Sequence, residues 1–261
     1  MDNLIIERDK LDEAINPSFY SVTFGAGGST RDRTLETVEK LLSTSDTSVV
    51  PHISCIGSTG DEIKELLETY KDKKINRLVT LRGDIPEDGK GNNQYNHANE
   101  LVEFIRQETG DYFHIEVAAY PEYHPESLSP ETDISNFKRK IDAGANSAIT
   151  QYFYNIDAFR RFMDNCHNNG IDTPITPGIM PITTCEGLIR FSDRCGAEIP
   201  RWIRKQLEAY AADTESLLAF GTDVVSELCN KLLEENIEGL HFYTLNKSQA
   251  TLDIWNNLKS K

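Results

Sequence analysis

Leu81-Arg82-Gly83-Asp84 places a cation, a glycine and a carboxylate directly after an apolar run, Leu78-Val79-Thr80-Leu81. A polar loop follows over residues 85–93, with one Pro and two Gly. A buried strand that ends in this way can do charge chemistry. The strand fixes the position, glycine lets a ligand approach the backbone, and the two charges call for a partner. Taken alone, the four residues also fit a surface turn closed by a local Arg–Asp pair. Other polar side chains gather at the ends of β-rich runs: Thr23, Tyr120, Gln151 and Tyr243. His52, His114, His124, His167 and His241 show no metal-ligand spacing, so no metal is assigned. His241 lies within an apolar run and reads as a core histidine.

The composition narrows the chemistry. A chain of 261 residues, 38% hydrophobic and 26% charged, fits one large α/β domain with ample core. The net charge of −15 argues against nucleic acid or an anionic membrane as the main partner. A local cluster of Arg and Lys can still hold an anionic cofactor. Met1-Asp2-Asn3 opens acidic, unlike a secretory leader, and no apolar run reaches transmembrane length. Cys55, Cys166, Cys185, Cys195 and Cys229 are odd in number and scattered, which reads as reduced thiols of a cytoplasmic protein.

The elements that must position these residues alternate. Residues 3–15 set Leu4, Leu11 and Ile15 on one helical face, and Asn16-Pro17 stops that helix. Strands are predicted at 19–24, 49–55, 77–81, 114–119, 147–151, 174–179 and 240–243. Between them helices are predicted from a cap at Ser29 or Thr30 to about 42, from a cap at Thr59, and over 97–108, 132–143 and 156–168. Three more cover 184–194, 200–209 and 214–236, and a last one covers 247–258. Such alternation implies parallel strands joined by crossover helices. An open doubly wound sheet and a closed (β/α)₈ barrel compete. No G-x-G-x-x-G run follows the first strand, and the polar residues collect at several strand ends, so the barrel is favoured. Gly25-Ala26-Gly27-Gly28 could cradle a phosphate but reads as a strand-to-helix turn.

From about Phe19 onward, a series of motifs stands in a specific order. They are Val22-Thr23-Phe24-Gly25-Ala26-Gly27-Gly28, Pro51-His52-Ile53-Ser54-Cys55, Leu81-Arg82-Gly83-Asp84, Ala119-Tyr120-Pro121-Glu122 and His124-Pro125-Glu126. Asp142-Ala143-Gly144-Ala145, Ile149-Thr150-Gln151, Pro177-Gly178-Ile179 and His241-Phe242-Tyr243-Thr244-Leu245-Asn246 complete the set. With these the sequence resembles the 5,10-methylenetetrahydrofolate reductases, flavoenzymes with a (β/α)₈ barrel. The resemblance implies a single FAD-binding catalytic domain over residues 1–261. That domain would reduce methylenetetrahydrofolate to methyltetrahydrofolate with NADH or NADPH, in one-carbon metabolism and methionine synthesis. By the same resemblance Thr23, His52, Arg82, Gly83, Asp84, Ala98, Tyr120, His124, Asp133, Asn136, Arg139 and Lys140 hold the flavin. His97 stands where the family usually has Tyr. Arg139 and Lys140 can neutralise a pyrophosphate, though such a run is also commonly a solvated helical face. Asp84 is implied as the catalytic carboxylate, with Gln151, Phe191 and Lys247 on the substrates. Lys247 replaces a usual Arg, keeping charge and losing bidentate geometry. Bacterial members of the family imply a homo-oligomer.

The family begins with a strand reading roughly Ser-Phe-Glu-Phe-Phe-Pro-Pro, whose Glu is the general acid. Nothing before Pro17 matches it, so a barrel without its first strand, only marginally stable, and a longer natural protein are expected. Glu7 is the one carboxylate to weigh as a substitute, and its helical setting without aromatics speaks against it. Two alternatives follow. One is a flavoprotein that oxidises NAD(P)H but reduces folate poorly. The other is a non-catalytic folate- or flavin-binding subunit.

Overall fold

The computed structural model describes residues 2–24, 31–84, 94–235 and 237–259. The turn at residues 25–28, the cap at Ser29 or Thr30 and the loop at 85–93 lie outside the described residues. In chain order the elements are α1 (Asp2–Ala14), β1 (Phe19–Val22), α2 (Arg31–Thr44), β2 (Ser48–Ser54), α3 (Gly60–Asp72), β3 (Arg77–Leu81), α4 (Ala98–Thr109), β4 (His114–Ala119) and α5 (Pro130–Asp142). There follow β5 (Ser147–Thr150), α6 (Ile156–Asn168), β6 (Ile175–Thr176), β7 (Gly178–Ile179), α7 (Cys185–Cys195), α8 (Arg201–Ala209), α9 (Thr214–Leu233), β8 (His241–Phe242) and α10 (Gln249–Lys259). The chain divides into two compact units: residues 16–118 with 137–148, and residues 2–15 with 119–136 and 149–261.

In the first unit the strands are parallel and lie in chain order. The register sets Phe19 against Ser48, His52 against Val79 and Arg77 against His114. Parallel neighbours need crossover connections, and α2, α3 and α4 supply them. Local chemistry fixes these helices. Thr59 caps α3, its hydroxyl accepting the Glu62 N–H at 3.3 Å while Glu62 Oε2 accepts the Thr59 N–H at 2.7 Å. Ile63, Leu66, Leu67 and Tyr70 then share the buried face. The strand starts carry a polar group of their own. Arg77 pairs with Glu116 at 2.5 Å and lies over the Phe19 ring at 4.4 Å. Ser147 Oγ donates to Glu116 Oε1 at 3.3 Å and meets His114 Nε2 at 2.7 Å.

The second unit holds the end of β5, then β6, and a separate parallel pair, β7 with β8. The single strand expected over 174–179 is therefore two. Pro177 has no N–H to give a ladder, and the run changes partner there. The Pro177 carbonyl accepts the His241 N–H at 2.9 Å, and the Gly178 N–H donates to Thr150 Oγ1 at 2.9 Å. The last strand shrinks to two residues, and His241 is half-buried rather than in the core. The leading helix is present as read, but its buried residues are Arg8 and Leu11, with Leu4 and Ile15 half-buried. Arg8 meets Asp9 and Asp12. Asn155 and Asp213 cap α6 and α9 through their side chains. Among the described residues no helix is long and apolar enough to cross a membrane.

Candidate functional site

In the first unit the tightest construction surrounds Arg82-Gly83-Asp84. The Arg82 carbonyl accepts the Ile56 N–H at 2.9 Å, the Cys55 N–H at 3.2 Å and the Cys55 thiol at 3.3 Å. Burial pushes that thiol up to about 11, so it stays protonated and keeps donating. Gly83 has φ +89°, and a Cβ there would stand 2.9 Å from Ser54 Cβ. Only glycine fits this backbone against the end of β2. Asp84 follows as an exposed carboxylate, Arg82 is half-buried, and Arg82 Nε donates to the Gly83 carbonyl at 3.3 Å.

The other predicted residues of this unit also lie at or beyond element ends. Thr23 is exposed just after β1, its carbonyl accepting from Thr34 Oγ1 at 3.1 Å. His52 is half-buried in β2. His97 is exposed where α4 begins, and Ala98 is that helix's first residue. Glu100 Oε2 accepts from the backbone N–H of Asn96 at 2.6 Å and of His97 at 3.2 Å. Arg139 is exposed on α5. Lys140 Nζ donates to the Ala118 carbonyl at 2.5 Å, and it lies 5.5 Å from the Phe137 ring centre. Arg82, Arg139 and Lys140 are donors suited to phosphate oxygens.

In the second unit the structure brings Tyr120, Gln151 and their neighbours together. A recess of about 170 Å³ is lined by Tyr120, Glu122, Gln151, Tyr152 and Cys195, among others. Tyr120 and His124 meet edge to face, centroids 4.7 Å apart, which presents aromatic surface of a kind that packs on planar rings. The Gln151 N–H donates to the Ala119 carbonyl at 2.7 Å, and its side-chain oxygen accepts the Tyr152 N–H at 3.1 Å. Asp133 is buried and accepts from Ser127 Oγ at 2.6 Å, while Asn136 is exposed.

Phe191 is 45% exposed, whereas α7 buries Cys185, Leu188 and Ser192. It is thus no part of that helix's packed face. Lys247 is exposed in the turn after β8. Tyr243, also a strand-end polar residue, turns out structural: its hydroxyl donates to the Thr150 carbonyl at 2.8 Å, and burial pushes its pKa up. Glu7 is committed as well. Its Oε2 accepts both the N–H and the hydroxyl of Ser248, at 2.7 and 2.6 Å. Lys10 and Ser248 hold its pKa down to about 2, so it carries no proton to give near neutrality.

Glu122 went unread beyond its place in a motif. Burial pushes its pKa up to about 7. The one signal was Pro121-Glu122 directly after a strand-end tyrosine. Among the described residues no group of three or more His, Cys, Asp and Glu could hold a metal ion.

The sequence profile of the family described as methylenetetrahydrofolate reductase matches residues 1–259. The 5,10-methylenetetrahydrofolate reductase of Buchnera aphidicola subsp. Schizaphis graminum (strain Sg) is 38% identical over 243 residues, covering 92% of this chain and 81% of that protein. That of Escherichia coli (strain K12) is 37% identical over 245 residues, covering 94% and 81%. Among solved structures, an uncharacterized protein from Clostridium thermocellum that binds two copies of 5-methyl-5,6,7,8-tetrahydrofolic acid superposes with a TM-score of 0.56. It is 16% identical and covers 93% of each chain, a likeness of fold alone. From its profile and its relatives, the chain belongs to the methylenetetrahydrofolate reductase family.

Proposed function

We propose that the protein is an FAD-dependent reductase that takes hydride from NADH or NADPH and converts 5,10-methylenetetrahydrofolate to 5-methyltetrahydrofolate, on a (β/α)₈ scaffold. The observation that carries the reading is Arg82-Gly83-Asp84, held at the end of β3 by three donors from the end of β2. The donor set fits the cofactor: cations at Arg82, Arg139 and Lys140 for phosphates, and the Tyr120–His124 pair for ring surface. When bound, FAD supplies a hydride acceptor and donor between the two substrates.

The chain's own residues do the rest. Opening the methylene bridge of the folate develops a cationic iminium, and the Asp84 carboxylate stabilises that charge. The same charge disfavours adding electrons nearby, so Asp84 also sets how readily hydride is accepted. Gln151 offers an amide donor and acceptor to the pterin and the nicotinamide in turn. Phe191 covers whichever of the two is present, and Lys247 pairs with a folate carboxylate. The ionisation of Glu7 and its bonds to Ser248 argue against it as the proton source for the folate nitrogen.

Anaerobic half-reactions test this. The purified chain should be yellow, bleach with NADH or NADPH, and regain colour with methylenetetrahydrofolate. Bleaching without recovery would replace the reading by an NAD(P)H-oxidising flavoprotein impaired in folate reduction. Ligand binding without any redox change would replace it by a binding subunit. Sedimentation of the yellow protein checks the homo-oligomer that the family implies.

A further inference from the structure

The segment carrying Tyr120 and His124 is fastened to the end of the helix carrying Phe191. Glu122 Oε2 accepts the Glu198 N–H at 2.8 Å. Gly196, with φ +74°, lies so close to Pro125 that a Cβ would stand 2.6 Å from its Cγ. The Tyr152 hydroxyl meets Ser192 Oγ at 3.0 Å and accepts from Cys195 Sγ at 3.4 Å. These contacts join residues 121–125 and 152 to the last turn of α7 and the residues beyond it. The second oxygen of Glu122, Oε1, is buried and has no hydrogen-bond partner among the described residues. With one oxygen buried and the other taken by the Glu198 N–H, the carboxyl serves to hold structure.

We infer that Glu122 is a positioning residue: by clamping the Tyr120–His124 segment to the end of α7, it sets where Phe191 stands. The inference rests on the proposed function only in assigning Tyr120 and His124 to the cofactor and Phe191 to the substrates. The clamp responds to charge. Burial disfavours the Glu122 carboxylate most, the bond from the Glu198 N–H favours it, the charge of Glu198 disfavours it, and Arg161 of α6 favours it. Tyr152, whose hydroxyl burial keeps protonated, and Cys195 face it, and Tyr120 and Tyr123 also line the recess. Ionisation strengthens the bond from the Glu198 N–H, but burial disfavours the charge by more, so as pH rises through about 7 an opened segment with a solvated carboxylate gains over the clamped one.

Two measurements on the full chain test this, with Glu122→Gln and Glu122→Ala beside the natural protein. The first is hydrogen exchange of residues 120–125 and 185–198, corrected for the intrinsic pH dependence, which needs no cofactor. Protection of both segments should fall together between pH 6 and 8.5 in the natural chain, stay high in Glu122→Gln, and be low throughout in Glu122→Ala. The second is the KM for methylenetetrahydrofolate with FAD bound. It should rise roughly two- to tenfold over the same range, the size of one lost hydrogen bond, and stay flat in Glu122→Gln. Equal protection in all three proteins, or a KM that climbs as steeply in Glu122→Gln, overturns the clamp. A chain that shows the exchange pattern but binds no flavin overturns the proposed function and leaves the clamp standing.

Discussion

Asp84 and Gly83 are neighbours that fail in different ways. Asp84→Asn removes a charge and keeps the shape. We expect folate reduction to fall by about 10²–10³-fold, as when one preorganised electrostatic group is lost, with hydride uptake from NADH much less affected. Stopped-flow traces of the two half-reactions check this. Gly83→Ala introduces a Cβ 2.9 Å from Ser54 Cβ at φ +89°. It should cost about 1–3 kcal/mol and release flavin, read from thermal melts and the visible spectrum of the purified variant. Both residues were legible in the sequence because strand, glycine and charge are consecutive. Glu122 was not. Its partner, Glu198, is 76 residues away, and nothing in either local pattern announces the bond.

Elements were legible where their chemistry is local. Thr59 with Glu62 marked the start of α3, and the apolar period marked its face. The run at 174–179 misled because a proline inside a β-rich stretch has two outcomes, an edge strand or a change of partner, and distant His241 decides between them. The Arg77–Glu116 pair was hidden for a similar reason: each residue sits in a different parallel strand, and their register is set by the fold. Glu116 is only 1% exposed. Arg77→Met strands that carboxylate without its cation and should cost about 3–5 kcal/mol in chemical denaturation. Replacing both partners with apolar residues should cost less than the single change, which a double-mutant cycle would register.

At the scale of the molecule, two carboxylates give stability opposite pH slopes. Glu7 is lowered from 4.5 to about 2, so its contribution is present above 4.5 and is lost as pH falls toward 2. Glu122 is raised from 4.5 to about 7, so its contribution is present below 4.5 and is lost as pH rises through 7. The melting temperature should therefore decline on both sides of a mildly acidic range. Glu122→Gln should flatten the upper slope alone, and Glu7→Gln the lower. Melts from pH 3 to 8.5 would show it. The bond from Glu7 to Ser248 also has a meaning in time. It spans 241 residues, so α1 leaves the ribosome long before its partner. At ordinary elongation rates that gap is roughly 12–50 s. For that interval Glu7 lacks the partner that holds it in the folded chain. Synthesis speed, and whatever shelters a nascent helix, then bear directly on the yield of folded protein.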